Sequence, residues 1–550
     1  MVLTSSDQAV IASKEVSADG VSNESVQVAQ EVVHISGPGG EADKLQRDIS
    51  PRHMIFIALG GSIGAGLFVG SGGALSAGGP LSLVLNFALV GFGVTCTMGA
   101  LGELAAAFPV AGSFYTYATM FVSEAWGFTM GWNFVFNWLI IFPFELTCIA
   151  SQIRFWNEGI HPAIVVTPIL VGLILTSFLG SRWYGEIEHA FGIGKALAIT
   201  VFIILAFVII GGGVPSDPRG GTGAMYWRDG QAFRNGFSGF MFVFRTAGMS
   251  YGGTELLGMT AAECKNPRRL LPLATKITFF RILFFYIGAL LLLGFCVSAA
   301  DPNLAVSGHG AKISPFTLAA QVAGIKSLAT FFNILIVVAL LSMANASIYA
   351  SSRAFQALCD QGMGPRRGAL VIRGVPVWAF ALSFLFGLLA YIELVPGGKA
   401  IFDWLLSLSG ACNYYTWISI CVSHICFRRS WRVQGRSTAD LLWKSPFGVW
   451  GSWAGIVICT IGLLANIITA IWPIGGKHEP ESIMRDNVGT IIPLVVMGGF
   501  VLWSRIKRPG ISTPLIMSPD QVDLSRVRLG SDVIAEPEQE SGQAGQKTNV

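Results

Sequence analysis

A chain of 550 residues in which 52% of side chains are hydrophobic and only 12% are charged has more apolar surface than a soluble core can bury, which places it in a bilayer. Its net charge of +4 is small and its basic residues lie between apolar runs, so a nucleic-acid surface is excluded. Nine cysteines fall almost entirely inside apolar stretches, Cys96, Cys296, Cys421 and Cys459 among them, and such a distribution is no disulfide framework.

Residues 1–46 are a Ser/Glu/Val mixture without the basic segment, apolar core and cleavage site of a cleavable signal peptide. This stretch and its counterpart, 509–550, lack apolar periodicity and are expected to be disordered cytosolic tails. Lys14 and Lys44 are candidates for regulatory modification by cytosolic trafficking or ubiquitination machinery, set against the plainer reading of solvated lysines without a role. Between the tails, in 47–508, about twelve runs are long enough to cross the hydrocarbon layer. They lie near 53–73, 81–107, 123–150, 163–180, 189–211, 236–258, 277–299, 322–350, 374–393, 400–425, 450–472 and 488–505. The expected fold class is therefore all-α and polytopic. Lys265, Arg268, Arg269 and Lys276 follow span six; Arg366, Arg367 and Arg373 follow span eight; Arg428, Arg429, Arg432 and Arg436 follow span ten. Arg505, Lys507 and Arg508 follow span twelve, on the same face as Arg47 and Arg52, so both termini are expected in the cytosol.

Span one contains Gly60-Gly61-Ser62-Ile63-Gly64-Ala65-Gly66, four glycines in seven positions near mid-depth. Each costs about 1 kcal/mol relative to alanine inside a helix, so a break is expected. Close helix packing through small residues is the alternative. Span six has a second candidate break at Ala247-Gly248-Met249-Ser250-Tyr251-Gly252-Gly253-Thr254-Glu255, five spans later, as an inverted repeat of five spans would place it. A half-helix starting near Ile63 to Gly66 offers N–H groups and a positive dipole end to a carboxylate. Free carbonyls near Ala247 to Ser250 suit an ammonium. Together these form a receptor for the two charged ends of an α-amino acid.

At these residues the chain resembles the fungal amino acid permeases of the amino acid/polyamine/organocation superfamily. The resemblance runs from Arg47 to about Arg508. It rests on the first-span glycines, Gly102-Glu103-Leu104, Pro109-Val110-Ala111-Gly112-Ser113-Phe114, Gly131-Trp132-Asn133, Gly185-Glu186-Ile187-Glu188, Gly253-Thr254-Glu255 and Ser423-His424-Ile425-Cys426-Phe427-Arg428. It implies a five-plus-five inverted repeat with two additional C-terminal spans, and proton-coupled uptake of amino acids across the plasma membrane. Two positions depart from the pattern: Ala65 stands where relatives commonly have a hydroxyl residue, and Arg245 where an apolar residue is expected. Polyamine, carnitine or related amine solutes remain alternative substrates.

Ionisable groups inside spans are functional candidates by default. Lys195 resembles the family lysine that reaches toward the broken first helix in place of a sodium ion; a proton-exchanging group and a structural brace are both open readings. Glu103 and Glu145 are read mainly as anchors, Glu255 as anchor or proton carrier, Arg281 as snorkelling toward the cytosol, and Arg245 as a group without an assignable partner. Tyr251, Thr416, Trp417, Asn345 and Ser347 are candidate pocket residues. No metal-ligand cluster, nucleophile motif or phosphate loop is visible, so neither an enzyme nor a cofactor is expected. The rival to a carrier is an amino acid sensor on the same fold.

Overall fold

The computed structural model describes residues 50–110, 112–228, 230–260, 267–304, 313–372, 375–394, 409–475, 480–508 and 514–524. The stretch 1–46 with Lys14 and Lys44 lies outside them, as do Arg47, Lys265 and Arg373. Among the described residues the repeating secondary structure is helical. Seven helices are long and apolar enough to cross a membrane by length and composition, and two shorter apolar ones, Pro162–Ser177 and Val377–Ile392, occupy the fourth and ninth positions. The first and sixth spans fall below that length because they are broken. The tenth, Cys412–Val433, contains asparagine, histidine and several arginines that lower its hydropathy.

The break in span one separates Pro51–Gly60 from a helical stretch beginning near Gly66. That stretch runs into span two as far as Ala107 and is divided by the non-helical backbone at Gly79. Span six is helical over Gly236–Tyr251 and again over Leu256–Thr260. The two interruptions are five spans apart, and spans eleven (Gly448–Ile471) and twelve (Pro480–Lys507) follow the pair of five-span halves. Span three, Glu124–Ile153, starts at a Ser123 cap whose side chain accepts from the Trp126 amide at 3.2 Å. It packs along span eight, while the first half of span one packs against span five. Side chains such as Ile204, Phe207 and Val495 point outward and are well exposed, as expected for a surface covered by lipid.

Three boundaries differ from the sequence expectation. Span five begins at Ser181 rather than near 189, because Glu186 and Glu188 find partners and do not end the helix. Lys195 is thus about four turns, or about 21 Å, from the start of its helix. Span eight extends over Lys326–Asp360, ten residues beyond the expected end, since Ser351, Ser352 and Arg353 are buried against neighbouring helices despite their polarity. Residues 514–524, inside the stretch expected to be disordered, pack on the bundle. The Met517 amide donates to the Val122 carbonyl at 2.8 Å, Gln434 donates to the carbonyls of Pro519 and Val522, and Val522 and Leu524 are buried.

Candidate functional site

The two broken spans meet. A Cβ at Gly66 would lie 2.5 Å from the Ser250 Cα, so only glycine allows span one to approach the span-six backbone this closely. Gly253 has φ 94°, and a Cβ there would lie 2.8 Å from the Gly61 carbonyl oxygen. The second interruption expected over Ala247 to Glu255 narrows to its second half: Ala247 to Tyr251 are helical, and the chain unwinds at Gly252 to Glu255. A helix C-terminus leaves its last carbonyls without intrahelical donors. Here that end lies at Gly248 to Tyr251. The Ser250 carbonyl accepts from the Tyr286 hydroxyl at 3.0 Å, and the Gly248 carbonyl from Asn413 Nδ2 at 3.4 Å.

At the first break, the Ala65 amide donates to Glu145 Oε1 at 3.4 Å. The amide that was expected to receive a substrate carboxylate therefore already faces a buried carboxyl from span three. Gly64 adjoins the same group: a Cβ there would lie 3.2 Å from Glu145 Oε1 and 2.8 Å from Met343 Cγ. Ser62 and Ile63 form the turn itself, and the Ile63 amide donates to the Gly60 carbonyl at 3.0 Å.

Two span-seven residues tie the breaks together, and neither was singled out correctly from sequence. Tyr286 places its hydroxyl 2.9 Å from the Ser62 carbonyl, 3.1 Å from the Ser62 hydroxyl and 3.0 Å from the Ser250 carbonyl. Arg281, expected to snorkel, is instead fully buried: it donates to the Ala58 carbonyl and to Thr254 Oγ1, both at 2.7 Å. Its burial could not be read from hydropathy, because it depends on partners from spans one and six that the sequence does not place beside it.

Lys195 reaches the first break. Its ammonium donates to the Gly60 carbonyl at 2.7 Å, at the end of the first half-helix. That is the negative end of the helix dipole, which favours a cation. Lys195 also contacts Glu188 Oε1 at 3.2 Å, and the other Glu188 oxygen accepts from the Ser342 hydroxyl at 2.5 Å. Glu188 was noted only as part of a motif, yet it has the spacing that reveals it: residues seven apart share a helix face.

The remaining candidates are dispersed. Glu255 accepts from its neighbour Gly253 N at 3.2 Å and from Trp417 Nε1 at 3.2 Å, which links the second break to span ten. Glu103 is held by Arg428 at 2.8 Å, His424 at 3.1 Å and the Ser445 amide at 2.7 Å, joining span two to span ten and the loop beyond. Arg245 has a partner after all, Asp486 of span twelve at 3.6 Å. Tyr251 stacks on Tyr286 and donates to the Phe87 carbonyl at 2.9 Å, so it faces span two. Met249 is partly buried, Ala247 and Thr416 are buried, and Ser347 donates to the Met343 carbonyl of its own helix. Asn345 lines a separate cavity.

Two interrupted spans in contact, clasped by side chains from span seven and braced by a lysine from span five, sit in a helical membrane protein of the transporter class. The amino acid permease family model matches residues 53–510, and the chain belongs to that family, whose members are transporters rather than enzymes. An uncharacterized amino-acid permease of Schizosaccharomyces pombe is 41% identical, over 88% of this chain and 84% of its own. Cationic amino acid transporter 1 of the same organism is 38% identical over 86% and 81%. Amino-acid permease inda1 of Hypocrea atroviridis is 42% identical over 90% and 88%.

Proposed function

We propose that this permease is a proton-coupled amino acid symporter of the plasma membrane, working by alternating access with both termini in the cytosol. The observation that supports this reading most is the Lys195 contact with Gly60 at the first break, backed by Glu188. A cation fixed by the last carbonyl of the first half-helix biases the position of that half-helix, and loss of its proton removes that bias. Proton binding and helix position are then linked, which is what coupling requires. In the substrate-loaded form the amino group lies at the span-six carbonyls around Gly248 to Gly252. The carboxylate lies at the amides of Ser62 to Gly66, where it displaces Glu145 from Ala65.

The experiment is uptake of a panel of labelled amino acids, polyamines and carnitine in transporter-deficient cells, with and without collapse of the proton gradient. Accumulation of one or more amino acids that falls to equilibrium when the gradient is collapsed is the expected result. Accumulation of only polyamine or carnitine would replace the substrate assignment, and binding without accumulation would replace a carrier by a sensor.

A further inference from the structure

Residues 514–524 fold back from span twelve across the end of the bundle that the proposed orientation puts in the cytosol, and there they bridge two elements. On one side the Met517 amide donates at 2.8 Å to the carbonyl of Val122, which separates the short helix Phe114–Phe121 from the Ser123 cap of span three. On the other, Gln434 closes span ten, and its Nε2 donates to the carbonyls of Pro519 at 3.1 Å and Val522 at 2.9 Å. The backbone is extended at Val522, where side chains two residues apart share a face. Val522 and Leu524 accordingly point into the bundle, 4% and 2% exposed, while Gln521 and Asp523 are exposed. Arg508, just beyond span twelve, donates to both carboxylate oxygens of Glu124, the first residue of span three, and so holds the chain beside this seat.

The bridge joins the two spans whose side chains meet the breaks. Span three carries Glu145, which accepts from the Ala65 amide at the first break, and span ten carries Trp417, which donates to Glu255 at the second. Opening a central site toward this end requires the elements around it to separate, and a tie across them opposes that step. The tie can also detach. A few hydrogen bonds and two buried aliphatic side chains stand against the lost freedom of the whole segment, a near balance typical of elements that open locally. We infer that residues 514–524 are an autoinhibitory strap on the carrier proposed above: seated, they slow its opening toward the cytosol, and detached, they let the cycle run faster.

The test compares the purified full-length chain in reconstituted vesicles with a chain ending at Thr513 and with Leu524→Asp, whose carboxylate disfavours burial and unseats the segment at full length. Hydrogen exchange reports the seat, and initial uptake of a mixture of labelled amino acids, per inserted carrier, reports the cycle. In Leu524→Asp exchange across 514–524 is expected to accelerate at least about tenfold. Maximal uptake is expected to rise about threefold or more in both altered chains, with an unchanged melting temperature. Faster exchange with uptake at the wild-type rate would make the segment a passive cover and overturn the strap. Slower uptake together with a lower melting temperature would make it a structural support and overturn the strap equally. No uptake by any of the three chains would overturn the carrier and the strap with it, whereas uptake by the wild type that neither change accelerates overturns the strap alone.

Discussion

Gly64 and Gly66 are constrained by different neighbours. At Gly66 the obstacle to a side chain is the backbone of span six, which cannot move aside alone. At Gly64 it is the flexible Met343 side chain together with the Glu145 carboxyl. Overpacking in a well-filled interior costs about 1–3 kcal/mol, enough to disturb the approach of the two broken spans. Gly64→Val is expected to reach the cell surface and lose uptake, because its isopropyl group occupies the space between Glu145 and the Ala65 amide. Wild-type transport by that variant, with surface amount checked by labelling, would remove the carboxylate site from the first break. The glycine cluster was legible in the sequence because its density is incompatible with a continuous helix. The carboxyl opposite it was not, since nothing in the sequence places residue 145 beside residue 65.

At the scale of elements, spans one and six are held in register by span seven. Tyr286 offers a single hydroxyl to both breaks, and Arg281 joins Ala58 to Thr254 one turn away. Under the proposed alternating-access mechanism, these contacts connect parts that move together. Tyr286→Phe keeps the ring stacked on Tyr251 but removes the hydroxyl, leaving the Ser62 and Ser250 carbonyls short of a donor. A lost hydrogen bond of this kind costs about 1–3 kcal/mol when the partners stay buried. The expected outcome is a reduced maximal rate of about tenfold with protein amount unchanged, measured as initial uptake across substrate concentrations. An unaltered rate would mean that the two breaks move independently of span seven. The broken spans themselves could be located from glycine spacing, but the sixth-span break is shorter than the expected Ala247 to Glu255. Glycine and serine in Ala247 to Ser250 suggested unwinding, whereas the backbone leaves the helix only at Gly252, where a positive φ follows at Gly253.

At the scale of the whole molecule, the all-helical class could be read from hydropathy and the paired breaks from glycine spacing, while the family rested on the resemblance of the motifs. The length of span five could not, because polar residues that pair across helices look like a loop to any count of apolar residues. Glu188 is one of these polar residues, paired with Lys195 and Ser342 inside the bundle. The basic clusters after spans six, eight, ten and twelve predict that both ends are cytosolic. Epitope tags at either end are expected to label only after permeabilisation. Labelling of intact cells would reverse the orientation and with it the direction of coupling.

The coupling claim is tested most directly by Lys195→Met in reconstituted vesicles, with net uptake and substrate exchange measured on the same preparation and insertion verified. If the lysine proton cycles, accumulation driven by a pH gradient is lost while exchange of substrate present on both sides persists, since exchange needs only movement of the loaded carrier. Proton-driven accumulation at the wild-type level in this variant would contradict the account, and loss of accumulation and exchange together would make Lys195 a brace for the first half-helix rather than the group that couples transport to protons.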